Sequence, residues 1–268
     1  MASIFELERI AATHWRGSEE EWQGDWLLRA AAGFTGRANS ALALGDPALP
    51  LDAALAAVTS WYRSRGLPPM IAVPLSLDPS GAGHELDAAL AARNWGTRPG
   101  EAFVMVADLP LGASSADAGA DHELRVSGEP DDGWLARYHY RGADRLPPDA
   151  RNVLTSCEDQ AFVSLRDADE VLAIARLSVA EGWAGITAVE VNPDYRRNGL
   201  GRAVTAAACR VAASRGVQAV FLQVEVGNAA ARGLYEGIGF RYAHLYHYRV
   251  APQAGPKIAG RPSKQASE

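Results

Sequence analysis

Residues 185–202 decide the fold and read GITAVEVNPDYRRNGLGR. The predicted strand Trp183–Val191 covers the first seven of these residues, and Pro193 ends it because proline removes a donor from the ladder. Gly199 and Gly201 let the backbone turn tightly and bring its N–H groups close to a ligand, and the helix predicted to follow offers its positive N-terminal end. The turn is flanked by Arg196, Arg197 and Arg202. We interpret it as an anion site, best suited to a diphosphate because guanidinium groups can fork onto phosphate oxygens.

Two other phosphate-binding loops are excluded by their spelling. A Walker A loop ends in Gly-Lys-Ser/Thr, whereas residues 201–203 read GRA. A dinucleotide fingerprint needs a third glycine where Val204 stands. That fingerprint also opens a parallel β-α-β series, whereas the strands predicted before this loop form a meander. Neither loop type fits.

A second motif lies downstream, where residues 228–240 read NAAARGLYEGIGF and a helix is predicted over Ala229–Glu236. The spacing Arg196-x-x-Gly199-x-Gly201 resembles the acyl-CoA loop of the GCN5-related N-acetyltransferase (GNAT) superfamily. Residues 228–240 are similar to its N-x-x-A-x-x-x-Y-x-x-x-G-F segment. The resemblance covers residues 122–250 in order and spacing, and the first half of the chain resembles the superfamily only in outline.

The resemblance implies an N-acetyltransferase that moves an acetyl group from acetyl-CoA, its cosubstrate, to a primary amine by direct attack. Backbone groups of Val189 and Val191 would contact the pantetheine and the thioester, whose carbonyl needs an N–H donor as negative charge develops. Residues 196–202 would hold the diphosphate, Asn228 would contact the pantetheine arm, and Tyr235 would lie beside the sulfur. The expected acyl-CoA-binding residues are Val189, Val191, Arg196, Arg197, Asn198, Gly199, Leu200, Gly201, Arg202, Asn228 and Tyr235.

The catalytic candidates are Tyr235, Glu190 and Glu225. A phenol of pKa about 10 can protonate or polarise a departing thiolate of pKa about 8.5, so Tyr235 is the expected acid, with a core tyrosine as the alternative. The amine must lose a proton to a base or a water chain. Some superfamily members place a glutamate six residues before the position of Val191, but this chain has Gly185 there. Glu190 and Glu225 lie on nearby strands, although strand alternation points Glu190 to the face opposite Val191.

Two pieces of the chain look like copies of each other. Residues 64–66 read SRG, end a predicted helix and precede a strand, and residues 214–216 do the same 150 positions later. We therefore expect an α+β fold of GNAT type, a mixed and mostly antiparallel central sheet flanked by helices, in two tandem GNAT-like domains. The alternative is that any two strand-helix-strand units look alike. The expected partition is a degenerate GNAT-like domain without an acyl-CoA loop over 1–109, a linker over 110–120, a catalytic domain over 121–250 and a disordered tail over 251–268.

Apolar periodicity and turn residues predict the elements. Helices are expected over Leu51–Arg65, Glu85–Arg93, Asp131–Tyr140, residues 199–215 and Ala229–Glu236, with an amphipathic stretch over Ile4–Ala12. Strands are expected over Trp26–Ala32, Met70–Leu77, Glu101–Leu109, His122–Val126, Ala161–Leu165, Val171–Val179, Trp183–Val191, Ala219–Val226 and Arg241–Val250.

The first half has no counterpart of the acyl-CoA loop. Residues 45–50 read GDPALP, with an acid where a phosphate would need a donor. Such a domain would be a packing partner that shapes the acceptor pocket. Residues 33–40 read GFTGRANS, and Arg37 and Asn39 offer polar groups for a substrate. An ordinary loop or an internal hydrogen-bond cluster is the alternative.

Composition and charge narrow the remaining classes. The 268 residues carry 26 Lys+Arg against 32 Asp+Glu, a net charge of −6, which provides no general field for nucleic acid or an anionic membrane. No stretch approaches the ~18 apolar residues of a membrane span, and no signal peptide is recognised. We expect a cytoplasmic monomer or homodimer with an amine acceptor of unidentified structure and no nucleic-acid or membrane partner.

The two cysteines and the scattered histidines argue against an acyl-enzyme and against a metal site. Cys157 and Cys209 lack a paired histidine, so direct transfer is expected rather than an acyl-enzyme. No metal site is expected, because no Cys or His pair has ligand spacing. The alternative function is a non-catalytic acyl-CoA sensor or interaction module, which the missing glutamate and the degenerate first half favour.

Overall fold

The computed structural model describes residues 2–112, 122–138, 146–147 and 149–252. Most of the predicted linker at 110–120 and of the predicted tail at 251–268 lies outside the described residues. The helices are α1 (Ile4–His14), α2 (Leu51–Arg63), α3 (His84–Ala91), α4 (Asp132–Arg137), α5 (Ala150–Leu154), α6 (Leu200–Ser214) and α7 (Ala229–Glu236). The strands are β1 (Glu19–Gln23), β2 (Trp26–Ala30), β3 (Ala41–Ala43), β4 (Met70–Leu75), β5 (Gly96–Asp108), β6 (Glu123–Ser127), β7 (Asp159–Asp167), β8 (Glu170–Ala180), β9 (Trp183–Val191), β10 (Ala219–Glu225) and β11 (Arg241–Val250).

The eleven strands in the described ranges form one mixed sheet, in the order β1-β2-β3-β4-β11-β5-β10-β9-β8-β7-β6. Neighbouring strands are antiparallel except for two pairs, β3 with β4 and β9 with β10, which are parallel. A crossover helix joins each parallel pair, α2 in the first half and α6 in the second. The predicted α+β class, a mostly antiparallel sheet flanked by helices, is confirmed.

The two halves repeat one topology and exchange their last strands. Strands β1 to β4 are arranged like β7 to β10, three antiparallel neighbours followed by a parallel one. The last strand of the second half, β11, pairs with β4 of the first, and the last strand of the first half, β5, pairs with β10 of the second. β5 and β11 also pair with each other. Each half thereby extends the other's sheet, while the predicted partition at 110–120 stays a prediction.

Helices cover both faces of the sheet. One face packs on α2 and α3 under the first half and on α6 and α7 under the second. The other face packs on α1 at its centre and on α4 and α5 at its far end. A capping box starts α1, in which Ser3 and Glu6 bond each other's main-chain N–H groups. No helix of the described ranges is long and apolar enough to cross a bilayer.

Several short elements escaped the sequence prediction. The mostly exposed edge strand β1 reads EEEWQ and lacks an apolar alternation, while β3 and α5 have only three and five residues. Elements this short are set by tertiary contacts rather than by their own periodicity. β5 begins at Gly96, earlier than the predicted start at Glu101. α4 ends at Arg137, and residues 139–140 of the predicted helix lie outside the described ranges.

Candidate active site

β9 and β10 separate part-way along their length and leave a wedge between them. Their parallel pairing runs from Trp183 with Ala219 to Ile186 with Leu222 and ends there. Residues 187–191 still pair with β8, but across the described chain their opposite edge carries no ladder partner. Free N–H and C=O groups on a strand edge bind an extended amide chain. The wedge therefore offers main-chain partners to an arm of the pantetheine type.

A β-bulge turns this end of β9. Ala188 has a φ of 53°, and the register with β8 shifts beside Ile174. Val189 and Val191 pack on the face covered by α6, whereas Glu190 lies opposite Ile174 on the face covered by α4 and α5. Glu190 thus points away from the two valines, as strand alternation predicts.

The loop between β9 and α6 is arranged to receive an anion. Asn192 caps a short 3-10 turn, Pro193–Tyr195, by accepting a main-chain N–H at 3.2 Å. Gly199 is the N-cap of α6 with a φ of 78°, and the first helical hydrogen bond runs from Ala203 N–H to the Gly199 carbonyl at 3.0 Å. The N–H groups of residues 200–202 therefore precede the helical ladder, at the end of the helix where its dipole favours an anion.

The three predicted arginines differ in their contacts. The Arg202 Nη1 donates to the carbonyl of Gly237, at the end of α7, over 3.3 Å. Arg196 and Arg197 are exposed beside Asn198, and neither guanidinium group forms a hydrogen bond or ion pair with another residue in the described ranges. Two guanidinium groups are thus available for a diphosphate, and the third ties α6 to α7.

Gly201 lets α6 approach two neighbouring elements. A Cβ at this position would lie 2.9 Å from the Leu234 Cδ1 of α7 and 3.6 Å from the Val191 Cγ2 of β9. Leu200, at the start of the same helix, is buried in the same core. Gly201 therefore has a packing role, because a larger residue would move α6 away from the wedge.

Asn228 stands at the start of α7. Its Oδ1 accepts the main-chain N–H of Ala231 at 3.1 Å, which makes Asn228 the N-cap. This role was not predicted from the sequence, although asparagine directly before a predicted helix is its usual signal. The side-chain oxygen is engaged by the helix, which leaves the amide nitrogen as the group with which Asn228 can reach a ligand.

Tyr235 is buried between α7 and the core beneath α6. Its side chain packs with Val224, and its ring centroid lies 6.0 Å from that of Phe240. Burial raises the pKa of Tyr235 to about 12. The phenol therefore stays protonated around neutral pH, and it is a better hydrogen-bond donor than proton source toward a thiolate of pKa about 8.5.

The two glutamate candidates lie across the sheet from Tyr235. Glu225 is exposed at the end of β10 and lines a cleft on the α1 face, where Gln223 lines it as well. Glu190 is half-buried and faces the α4–α5 side. Both Glu225 and Glu190 lie beyond Leu222 and Ile186, where the β9–β10 pairing ends, although each still pairs with its other neighbouring strand. The acid candidate thus lies on one face of the sheet and the base candidates on the other.

Helix α1 fills the space in front of Gly185. A Cβ on Gly185 would lie 2.8 Å from the His14 Nδ1 and 2.8 Å from the Phe221 Cζ. That Nδ1 is 2.9 Å from the Ser178 hydroxyl oxygen. A glutamate at 185 would therefore displace α1. Burial, followed by the charge of Arg176, lowers the pKa of His14 to about 4, so the imidazole is neutral at pH 7.

The cysteines are not activated nucleophiles. Burial raises the pKa of the Cys209 thiol to about 12 and that of the Cys157 thiol above its ordinary value. A thiol of high pKa carries little thiolate at neutral pH. Among the described residues, no group of three or more His, Cys, Asp or Glu side chains is arranged to hold a metal ion.

A cleft of about 380 Å³ lies on the α1 face where the two halves meet. The first half contributes Arg37 and Arg98, and the second half contributes Tyr138, Gln223 and Glu225. Gln223 and Glu225 also border the wedge, because they follow the last β10 residue that pairs with β9. The cleft therefore opens onto the place where a thioester in the wedge would end.

The loop at residues 33–40 divides its roles. Asn39 is buried, and its Oδ1 accepts the N–H groups of Ala31 and Gly33 at 2.8 and 2.9 Å. Its Nδ2 donates to the carbonyl of Phe34 at 2.7 Å. Asn39 thus belongs to an internal hydrogen-bond cluster, the alternative that the sequence left open, whereas Arg37 reaches the cleft.

A sequence family described as "Probable histone acetyltransferase Rv0428c C-terminal" matches residues 1–249. The chain belongs to this family. The "Probable histone acetyltransferase Rv0428c" of Mycobacterium tuberculosis is 32% identical over 265 residues, which cover 95% of this chain and 76% of that protein. The "Uncharacterized N-acetyltransferase YobR" of Bacillus subtilis is 28% identical over 263 residues, 93% of this chain and 99% of that protein.

The fold of this family member is that of a solved GNAT structure. A "GCN5-related N-acetyltransferase from Kribbella flavida" superposes with a TM-score of 0.67 and 17% identity, over 89% of this chain and 91% of that one. The GNAT resemblance seen in the two motifs is confirmed, and the chain is an N-acetyltransferase of GNAT type with two halves of like topology.

Proposed function

We propose that the protein transfers an acetyl group from acetyl-CoA to a primary amine by direct attack. The observation that carries this proposal is the wedge between β9 and β10, which leads to the start of α6 and to the two exposed guanidinium groups of Arg196 and Arg197. Strand-edge amides, helix N–H groups and arginines follow one another in the order pantetheine, then diphosphate, that acetyl-CoA requires.

Acetyl-CoA supplies an activated thioester carbonyl. The free main-chain edge of residues 187–191 orients the arm, and an N–H of Val189 or Val191 polarises the carbonyl as negative charge develops. The N–H groups of residues 200–202, with Arg196 and Arg197, hold the diphosphate. The nucleophile approaches from the cleft on the α1 face, because α6 and α7 cover the other face.

Proton movement is divided between the two faces. The amine arrives as an ammonium and must lose a proton before attack, and Glu225 is the carboxylate that lines the cleft. Tyr235, protonated because its pKa is about 12, donates a hydrogen bond to the departing sulfur. His14 is a poor base for the same proton, because a pKa of about 4 leaves the imidazole weakly basic.

Release of CoA thiol from acetyl-CoA over a panel of amines tests the proposal, together with calorimetry of acetyl-CoA binding. Arg196→Met and Arg197→Met are each expected to weaken acetyl-CoA binding by about 10-fold, since each removes a charged hydrogen-bond donor. Arg210→Met, an exposed arginine further along α6, is the matched control and should bind normally. Wild-type binding without turnover on any amine would instead point to an acyl-CoA sensor, and absence of binding would overturn the proposal.

A further inference from the structure

The cleft between the halves holds two positive side chains from the first half. Arg98, on β5, has its guanidinium carbon 5.6 Å from the centroid of the Tyr248 ring and its Nη1 3.3 Å from the Met70 Sδ. A Cβ on Gly36 would lie 3.2 Å from the same Nη1. Arg98 therefore lies against Gly36, the residue before Arg37. The side chains of Arg37 and Arg98 line the same cavity.

Arg37 reaches the same cavity from the other side. Its guanidinium carbon lies 4.7 Å from the centroid of the Trp15 ring, and Nη1 donates to the amide oxygen of Gln223. Trp15 is buried, so its ring holds the Arg37 guanidinium group in place through a cation–π contact. The Gln223 contact brings Arg37 next to the last residues of β10, beside the wedge.

Neither guanidinium group is neutralised by a neighbour. Across the described residues no carboxylate pairs with Arg37 or Arg98, whose partners are an amide, a thioether and aromatic rings. Both side chains are half-buried, which weakens the screening of their charges by water. Glu225 is the one acidic residue among the described residues that line the cleft.

We propose that this cleft selects an acceptor that carries a carboxylate beside its primary amine, an amino acid or a small amino-acid-like metabolite. This inference rests on the proposed acetyl transfer. The carboxylate bonds Arg37 and Arg98 at the first-half wall, and the amine points to Glu225 and the wedge. The rings of Tyr138, Tyr246 and Tyr248 line the same cavity and contact the apolar part of the acceptor.

The volume and the charges favour a small acceptor over a lysine-rich peptide. A volume of about 380 Å³ lies near the lower end of the range for small-molecule pockets, roughly 300–1,000 Å³. Two arginines with one glutamate give the described lining an excess of positive charge, which repels a basic chain and attracts an anion. The substrate class thus differs from what the words "histone acetyltransferase" in a relative's name would suggest.

Calorimetry on the full chain saturated with CoA, which has no acetyl group to transfer, tests the inference. The probes are glycine, leucine, phenylalanine, glutamate, lysine and 4-aminobutyrate, each beside the carboxamide that replaces its carboxylate, with both carboxylates of glutamate replaced. At least one amino acid is expected to bind about 10-fold or more tightly than its amide, since the carboxylate makes charged hydrogen bonds that the amide lacks.

The variants locate that preference. Arg98→Met and Arg37→Met should each reduce it to near unity, Arg98→Lys should keep part of it, and Arg210→Met should keep all of it. Thermal unfolding checks that each variant is folded, and Arg98→Met, on the half-buried strand β5, spares the Trp15 contact if Arg37→Met is unstable. Equal binding of acids and amides, binding of neither, an unchanged preference in both Met variants, or tighter binding of a lysine-rich histone-tail peptide would each overturn the inference.

Thiol release with the same probes separates this inference from the proposed function. An amino acid that binds through Arg37 and Arg98 but releases no CoA thiol from acetyl-CoA would contradict the acetyl transfer and leave the carboxylate site standing. Equal turnover of acids and amides would leave acetyl transfer standing and contradict the carboxylate site.

Discussion

In each half of the molecule, one helix crosses from a strand to its parallel neighbour, and the two helix starts differ in charge. At the start of α2 in the first half, Asp52 is paired with Arg93 at 2.5 Å, and Asp46 accepts the main-chain N–H of Ala48 at 2.8 Å. At the start of α6 in the second half, Arg196 and Arg197 are exposed. Acids at a helix start already satisfy its dipole and repel phosphate, whereas arginines attract it.

The next helices, α3 in the first half and α7 in the second, end alike and differ in their polar residues. The N–H of Trp95 bonds the Leu90 carbonyl at 3.1 Å after α3, and the N–H of Phe240 bonds the Tyr235 carbonyl at 3.0 Å after α7. Leu90 in the first half therefore occupies the position equivalent to Tyr235 in the second. By the same spacing Gly83, the N-cap of α3, is equivalent to Asn228, the N-cap of α7. The first half retains the apolar positions that build the fold and lacks the polar ones assigned to acyl-CoA.

The first half contributes to the site in another way. His14 fills the space before Gly185, and Arg37 and Arg98 line the cleft that opens onto the wedge. One half thus supplies the proposed acyl-CoA groups and the other supplies a wall of the proposed acceptor site.

Separating the two halves should have the largest effect on folding and on acetyl-CoA binding, because each half supplies the last strand of the other's sheet. Residues 2–112 and 122–252 expressed alone would leave β4, β5, β10 and β11 with missing neighbours. We expect neither piece to show cooperative thermal unfolding, and co-expression of both to restore it. Acetyl-CoA binding of full strength by a monomeric 122–252 piece would contradict this expectation.

Making the start of α6 resemble that of α2 should have the next largest effect. The double substitution Arg196→Asp and Arg197→Asp is expected to weaken acetyl-CoA binding by about 100-fold or more, since two charged donors become two repelling acids. Arg210→Asp on the same helix serves as the control for the change in net charge. Calorimetric affinity within twofold of wild type in the double variant would refute the assignment of the diphosphate site.

Tyr235→Phe tests the polar difference between α7 and α3. We expect kcat to fall by about 100-fold with little change in acetyl-CoA affinity, because the hydroxyl acts on the leaving sulfur rather than on binding. The buried ring remains, so the thermal midpoint should stay close to wild type. Since the pKa is about 12, the wild-type rate should show no loss from phenol ionisation up to about pH 10. Unchanged kcat in the variant would leave Tyr235 as a core residue.

The smallest effect concerns His14, the first-half residue that faces Gly185. Its pKa is about 4 in the folded chain against an ordinary 6.5, so the unfolded chain binds the extra proton between these values. Stability is therefore retained above pH 6.5 and lost as the pH falls toward 4, by about 2 kcal/mol at pH 5. Urea unfolding at pH 7 and pH 5 should show a smaller loss for His14→Asn than for wild type. Equal losses would mean that His14 titrates normally.

Much of the candidate site could be predicted from the sequence because it is local. Gly199, Gly201 and Tyr235 lie in two short segments whose spacing carries the chemistry. The exchange of β5 and β11 could not be predicted, since strand partners far apart in sequence leave no periodic signal.

The residues that could not be predicted from the sequence contact parts of the chain that are far away in sequence. No pattern near Arg98 in the sequence predicts its contact with residue 36. No pattern near Gly185 predicts its contact with His14. Asn39 and Arg37 look alike in a polar loop, and only the buried main-chain partners of Asn39 separate the structural residue from the one that faces the cleft.

A crystal structure with acetyl-CoA tests the proposed acyl-CoA site. The diphosphate is expected to bond the N–H groups of residues 200–202 with Arg196 or Arg197, the pantetheine to lie between β9 and β10, and the acetyl group to face the cleft between Glu225 and Arg37. Acetyl-CoA bound at the start of α2, or on the surface away from the β9–β10 wedge, would contradict it.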